Sequence, residues 1–541
     1  MNERPMKWQT KEGFIKLLDD LVEIPSISGS EDEVAIAYFI RDQLQAIPYF
    51  QEHPSYIQIH PTGDGRTSIS ALVKNGDTPN TVVLVSHFDV VNVEDYGKYK
   101  SLAFKPKQLT EEFYNHKDVL PANVQRDIEK GEWRFGRGVM DMKCGIALQM
   151  MMIERAAYGC IEGNVLFLVV ADEEVNSRGM ITSVPALLKI KEEHNLNYQA
   201  CVNCEPMFAR YPGDEQDYIY TGSLGKIMPA FFCYGKESHV GEPFAGLNAN
   251  SMMSFVTTEL ELNTEFCEWV DGEVSPPPST LMQKDLKMGY SVQTPHKAVA
   301  LYNLFLMERP LEEITENLLN LAKRAGHSIE SWFEKRAEQY AAMKDYQSVS
   351  LNVLQFEELL QYAKDTYGKE RIVKLQNEVL ERQGEIGDER EVAIAFVDKV
   401  ASLCNEKAPM ILLFFAPPYY PAVSSRHNEK IARVTEDIII MAMKQYEIEL
   451  KEQLYFGGIS DLSYTGLGQS ASSLAKLIGN LPLWGSLYSL PLKELQQLQL
   501  PVLNIGPRGK DAHKWTERLD VDYATGPLQN MLQTAIEKLL E

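Results

Sequence analysis

The sequence is short of several things. No apolar run is long enough to cross a bilayer, and the start, "MNERPMKWQT", has no apolar stretch of the kind that leads a secreted chain. The expectation is a cytoplasmic protein with no membrane partner. Cysteine is scarce: 7 in 541 residues, an odd number at loose spacings, which argues against a disulfide framework and fits a reducing compartment. Cys201 and Cys204 make a lone C-x-x-C without a second pair at ligand spacing, so "YQACVNCEP" favours core packing over a zinc knuckle. Positive charge is also short. Lys and Arg number 53 against 76 Asp and Glu, a formal net charge of -23, and such a surface repels nucleic-acid phosphates. No repeat at a fixed period is evident.

What is present reads as a globular chain too long for one core. "KEGFIKLLDDLV" has helical spacing, and Ser30 with Glu33 predicts a capping box for the helix "SEDEVAIAYFIRDQL". "YIQIH", "SISALV", "TVVLVSHFDVV" and "NVLFLVVA" read as strands, the last two apolar enough for the centre of a parallel sheet. Helices such as "GIALQMMMIERAAY" alternate with them, which is α/β patterning. The style changes after Tyr220. "YTGSLGKIMPAFFCYG", "MGYSVQT", "KAVALYNLFLM" and "APMILLFFAPPYYP" read as strands of a smaller α+β unit, and residues 328–403 are mostly amphipathic helix. The α/β style returns at "NEKIARVTEDIIIMAMKQY". The expected architecture is an α/β domain with a mostly parallel sheet, formed by 1–219 and 425–541. A domain at 220–424 interrupts it and carries the extra helical segment 328–403.

Histidines and carboxylates follow the strand-like segments. "VVLVSHFDVV" ends with His87 and Asp89, "FGRGVMDMKCGIA" places Asp141 before a helix, and "FLVVADEEV" delivers Glu173 and Glu174. "ACVNCEP" delivers Glu205, and "VLNIGPRGKDAHKWTERL" delivers His513. Ligands of α/β sheets bind beyond the carboxyl ends of strands, so these residues are placed together. Taken singly each has an ordinary use: His87 at a rim, Asp141 as a helix cap, Glu173, Glu174 and Glu205 in water. Together they make a cation set, because clustered acids repel unless a cation joins them. Imidazole with carboxylate suits a pair of divalent ions, zinc, cobalt or manganese. Such a pair lowers the pKa of a water between them and polarises a carbonyl. Glu173 and Glu174 are adjacent and cannot easily serve one ion, so one is ligand and the other base.

"SHFDVV", "GRGVMDMKCGIA", "ADEEVNSRG" and the "GP" and "AHKWTERL" segments resemble the aminoacylase, ArgE/DapE and carboxypeptidase-type metallopeptidase family. "GKESHVGEPFAGLNA" resembles that family's lid or dimerisation domain. Length and the large insertion resemble a divergent bacterial branch linked to arginine utilisation. The resemblance implies a fold of di-metal exopeptidase type with an inserted α+β lid domain. It implies His87 and Glu205 on one ion, His513 and Glu174 on the other, and Asp141 bridging. Asp89 would orient His87, Glu173 would be the general base, and His239 on the lid would donate to the oxyanion. The implied activity is hydrolysis of an amide bond in a short peptide or N-acyl amino acid, with a homodimer formed through the lid. "KMGYSVQTPHK" departs from the family pattern, so no clamp for a substrate carboxylate is placed. "YFGGISDLSYTG" resembles a loop lining the site, with Asp461 either orienting substrate or making an Asx-turn. Two other classes compete: a degenerate member that binds a ligand without turnover, and an assembly protein that uses the helical segment as an interface.

Overall fold

The computed structural model describes residues 6–211, 213–340 and 348–541. The chain divides into two compact units. The first comprises Met1–Leu224, Val423–Leu467 and Pro491–Glu541, and the second Gly225–Ala422 and Gly468–Leu490. Among the described residues no helix is long and apolar enough to cross a membrane.

The first unit is built on an eight-stranded sheet. Its order is Ile57–Pro61, Thr67–Val73, Asn164–Val170, Asn80–His87, Asn197–Asn203, Val502–Asn504, Asp217–Tyr220 and Leu450–Gln453. The four central strands are parallel, and Asn164–Val170 is buried along its whole length. The outer strands differ from the mostly parallel expectation. Ile57–Pro61 and Thr67–Val73 pair antiparallel, Thr67–Val73 runs antiparallel to Asn164–Val170, and Asp217–Tyr220 runs antiparallel to Val502–Asn504. The first of these pairs is antiparallel because the short link between its strands closes as a hairpin, whereas a parallel pair needs a crossover of a dozen residues or more.

Helix Lys11–Val22 is capped by Thr10, whose side chain accepts from the Gly13 N–H, and buries Phe14, Leu17, Leu18, Leu21 and Val22. The capping box at Ser30 does not form. The Ser30 side chain makes no cap bond, and the Glu33 carboxylate instead accepts the Gly29 N–H at 2.6 Å and meets Arg66. Helix Lys143–Ala157 packs on the strands ending at His87 and Val170.

In the second unit the sheet order is Ser279–Asp285, Lys297–Leu306, Gly225–Tyr234, Met410–Tyr420 and Asn352–Gln355. "MGYSVQT" makes no strand. Met288 and Tyr290 are almost wholly exposed, and the strand lies earlier, at Ser279–Asp285. The helical segment expected at 328–403 contains the strand Asn352–Gln355, which pairs parallel with Met410–Tyr420. Residues 468–490 also belong to this unit rather than to a continuous 425–541. The Phe415 N–H donates to Asn480 O at 2.8 Å, and Leu483 joins the unit's apolar core.

The central parallel strands of the first unit bring their carboxyl ends to one edge of the sheet. His87 ends one strand, Glu173 follows a second closely, Glu205 a third, and the path to His513 leaves a fourth. These ends pack tightly: a Cβ on Gly506 would lie 1.7 Å from the Glu205 carbonyl oxygen. Gly506→Ala is therefore expected to destabilise the first unit by about 1–3 kcal/mol through overpacking. Gly384→Ala, whose Cβ meets nothing within 4 Å, serves as control. Equal melting midpoints for both variants and the parent would refute the close approach.

Candidate metal centre

His87 is the last residue of its strand, and its ring is fixed by the backbone. Nδ1 lies 3.0 Å from the Asp89 carbonyl oxygen. A carbonyl only accepts, so Nδ1 carries the hydrogen and, in the neutral ring, Nε2 presents a lone pair. That atom faces Glu205 Oε1 at 3.5 Å, Asp141 Oδ1 at 3.6 Å and Glu173 Oε2 at 3.7 Å. His513 approaches the other oxygen of the same aspartate: its Nε2 is 3.2 Å from Asp141 Oδ2 and 3.0 Å from Glu174 Oε1. Asp141 thus turns one carboxylate oxygen to each histidine. The Asp141–Met142 peptide is cis.

The turn after Val170 brings its acids in by different routes. Asp172 has φ +70, and its carboxylate meets the Arg66 guanidinium at 2.7 Å. The Glu173 and Glu174 N–H groups donate to Asp89 Oδ1 and Oδ2 at 3.0 and 3.2 Å, and the Ser28 hydroxyl donates to Oδ2 at 2.6 Å. The Asp89 side chain therefore anchors the Glu173–Glu174 turn and also faces His87, its Oδ1 3.5 Å from Nδ1, while its main-chain oxygen holds the ring. His87 is 1% exposed and Glu205 3%, but the His513 side chain is 46% exposed.

The donor set fits a metal ion. His87, Asp141 and Glu174 each offer a ligand atom within 4.8 Å of the others. Four ligand atoms about 2.1 Å from a tetrahedral ion stand about 3.4 Å apart, close to the spacings around His87 Nε2. Among the described residues Glu205 Oε1 is buried without a hydrogen-bond partner, an arrangement that is costly unless a cation meets it.

Electrostatics agree with the geometry. Burial pushes the Glu173 and Glu205 carboxyls well above the usual carboxylate range, and the His87 charge opposes it. Burial works against a charged His87, yet Glu205 and Glu173 raise it well above its ordinary value. Burial likewise opposes His513, and Asp141 and Glu174 carry it up to about 11. Burial would raise Asp141, but His513 and His87 hold it below the usual range. Burial pushes Asp461 up to about 7, and its charge bears on Glu173 and Glu205.

The structure brings together His87, Asp89, Asp141, Glu173, Glu174, Glu205 and His513. His239 belongs to the second unit. It lies on an exposed loop where its Nδ1 accepts the Gly241 N–H at 3.1 Å. All seven cysteines are free, and Cys201 and Cys204 are buried, as core packing requires. Sequence reasoning missed Arg66, Arg137 and Glu517. Arg66 holds Asp172, and Glu517 accepts the Met140 and Asp141 N–H groups. No local spacing marks these residues, since each acts across a long stretch of chain.

The surrounding carboxylates raise both imidazoles above their ordinary value, whereas a metal ligand must offer a lone pair. Loading with zinc is therefore expected to release protons, and affinity should fall as pH falls. Calorimetric titration in buffers of different ionisation enthalpy counts them. Binding with no proton release would exclude these histidines as ligands.

Comparison with known proteins places the chain among relatives. A model of peptidase family M20/M25/M40 matches residues 113–452. The uncharacterized protein YqjN of Bacillus subtilis strain 168 is 47% identical over 538 residues, covering 99% of this chain and 98% of that one. Protein RocB of the same organism is 31% identical over 548 residues, covering 97% and 94%. Among solved structures, the M20 family metallo-carboxypeptidase Sso-CP2 of Sulfolobus solfataricus superposes with a TM-score of 0.55 at 13% identity, covering 98% of this chain and 99% of that one, a likeness of fold.

Proposed function

The chain belongs to peptidase family M20/M25/M40, and on that footing we propose that it is a metal-dependent hydrolase of a C–N bond in a short peptide or N-acyl amino acid. The observation that carries this reading is Asp141, whose two carboxylate oxygens face His87 and His513 separately. His87 and Glu205 would hold one divalent ion, His513 and Glu174 a second, and Asp141 both. Zinc suits these donors best, and cobalt or manganese would also be accepted. When bound, the ions supply Lewis acidity toward the substrate carbonyl.

The chain's own groups then do the proton work. Glu173 takes a proton from the attacking water as the new C–O bond forms, and gives it to the nitrogen as the C–N bond breaks. The products are a carboxylic acid and an amine. Burial raises the Glu173 pKa above the usual carboxylate range, the direction that suits a base which must later act as an acid. Asp89 steadies this step by holding the Glu173 N–H.

The second unit is proposed as the lid. Because Nδ1 of His239 accepts a hydrogen bond, the neutral ring carries its hydrogen on Nε2, ready to donate to an oxyanion. The unit's edge strand Ser279–Asp285, with Leu281 exposed, is offered as the seam of a homodimer. An arginine-related substrate follows from the branch resemblance alone. Arginine-containing dipeptides and N-acyl arginines therefore head the panel to be tested.

Metal-replete protein should hydrolyse members of a panel of dipeptides and N-acyl amino acids. Glu173→Gln should keep its metal and lose turnover by roughly two to four orders of magnitude. Glu174→Gln should lose metal as well. Metal binding without any turnover across the panel would favour the ligand-binding alternative, and metal loss confined to Glu173→Gln would reverse the two roles.

His239→Ala is expected to lower kcat more than it weakens binding, since its donor matters once the oxyanion forms. Light scattering should give twice the 61.3 kDa chain mass. Unchanged turnover in the variant removes His239 from the mechanism, and a monomeric mass removes the dimer.

A further inference from the structure

One buried ion pair beside the cluster has no part in the scheme above. Arg137 Nη1 and Glu517 Oε2 lie 2.9 Å apart, with side chains 1% and 0% exposed. Apolar side chains of similar size often replace such a pair without loss of stability, so stability alone is a weak reason for it.

Its connections point to another reason. Glu517 Oε1 accepts the Met140 N–H at 3.2 Å and the Asp141 N–H at 3.4 Å. The Glu517 N–H donates to Lys514 O at 2.9 Å, and its carbonyl accepts from the Gly136 N–H at 3.3 Å. One carboxylate thus joins the backbone of Asp141 to the turn that begins beside His513, across 377 residues of chain from Met140. Arg137 holds the far side: Nη2 donates to Asp95 Oδ1 at 2.8 Å, and the guanidinium lies 5.2 Å from the Tyr96 ring centre.

We propose that Arg137 and Glu517 are positioning residues that hold the Asp141 and His513 side chains at a common metal position. The proposal rests on the metal-centre reading. The chemistry asks for these residue types. Glu517 must accept on both oxygens, whereas glutamine would turn an NH2 group either toward the guanidinium or toward the backbone N–H pair, donor against donor. Lysine at 137 would keep the charge but lose the planar fork that reaches Glu517 and Asp95 together.

Cobalt(II) titrated into the metal-free full-length chain tests this, with wild type, Glu517→Gln and Arg137→Lys compared. The readings are cobalt affinity, the visible absorption of the bound ion, and melting of the metal-free forms. Both variants should bind cobalt roughly 10–100-fold more weakly, the usual effect of losing a group that orients a ligand. The bound ion should also show an altered spectrum. A lower melting temperature with unchanged affinity and spectrum would make the pair merely structural and overturn the proposal. Should Glu517→Gln fail to fold, Arg137→Lys decides by the same readings, and failure of both to fold also counts as a structural role. If the wild type takes up no cobalt, it is the metal-centre reading that falls.

Discussion

Like charges that are buried together govern the edge where the central strands of the first unit end. Asp89, Asp141, Glu173, Glu174 and Glu205 meet there, and burial opposes the charge on each. The fold manages this by sorting its acids. Asp89 is surrounded by the Glu173 and Glu174 N–H groups and the Ser28 hydroxyl. Asp172 goes to Arg66, and Glu517 to Arg137 and two backbone N–H groups. Asp141, Glu174 and Glu205 are instead turned toward two imidazoles. The acids with local donors serve as framework, and those facing the histidines leave negative charge for a divalent cation to offset.

"ADEEVNSRG" is the clearest case of that sorting. Three consecutive acids would make an ordinary surface turn if water solvated them, but Asp172 and Glu173 are buried. Asp172 takes a left-handed conformation, and its carbonyl accepts the Asn176 and Ser177 N–H groups, which closes the turn. Its carboxylate is spent on Arg66. With the next two N–H groups bound to opposite oxygens of Asp89, the Glu173 and Glu174 side chains diverge, one toward His87 and the other toward His513. Adjacent residues reach different partners because the backbone between them is held, and that holding is what would let one act as base beside the other as ligand.

The legible parts of the sequence were the local ones. Apolar runs that end in a histidine or an acid announced the strands at Asn80–His87, Asn164–Val170 and Asn197–Asn203, and so the residues at their ends. The antiparallel outer strands were not legible, because orientation is set by which strands become neighbours, and no short segment encodes that. Ser279–Asp285 was missed because an edge strand with polar residues facing water lacks a strong apolar pattern. Residues 468–490 were assigned by position in the chain, while their contacts tie them to Met410–Tyr420. Arg66, Arg137 and Glu517 escaped for the same physical reason: an ion pair leaves no periodicity.

The two halves around Asp141 are not equivalent, and their difference bears on how ions would be held. On the His87 side the ring is fixed by the Asp89 carbonyl, and Glu205 and Glu173 stand around it almost fully enclosed. On the other side His513 has φ +62 and an imidazole about half in solvent. An ion on the first side would meet groups already desolvated and oriented, so little would be paid in reorganisation when it binds. On the second side the His513 imidazole would have to be drawn in from solvent to hold an ion. Enclosure favours retention and openness favours exchange and access for substrate. Asp141, whose two carboxylate oxygens face the two histidines, thus joins the enclosed half of the cluster to the open half.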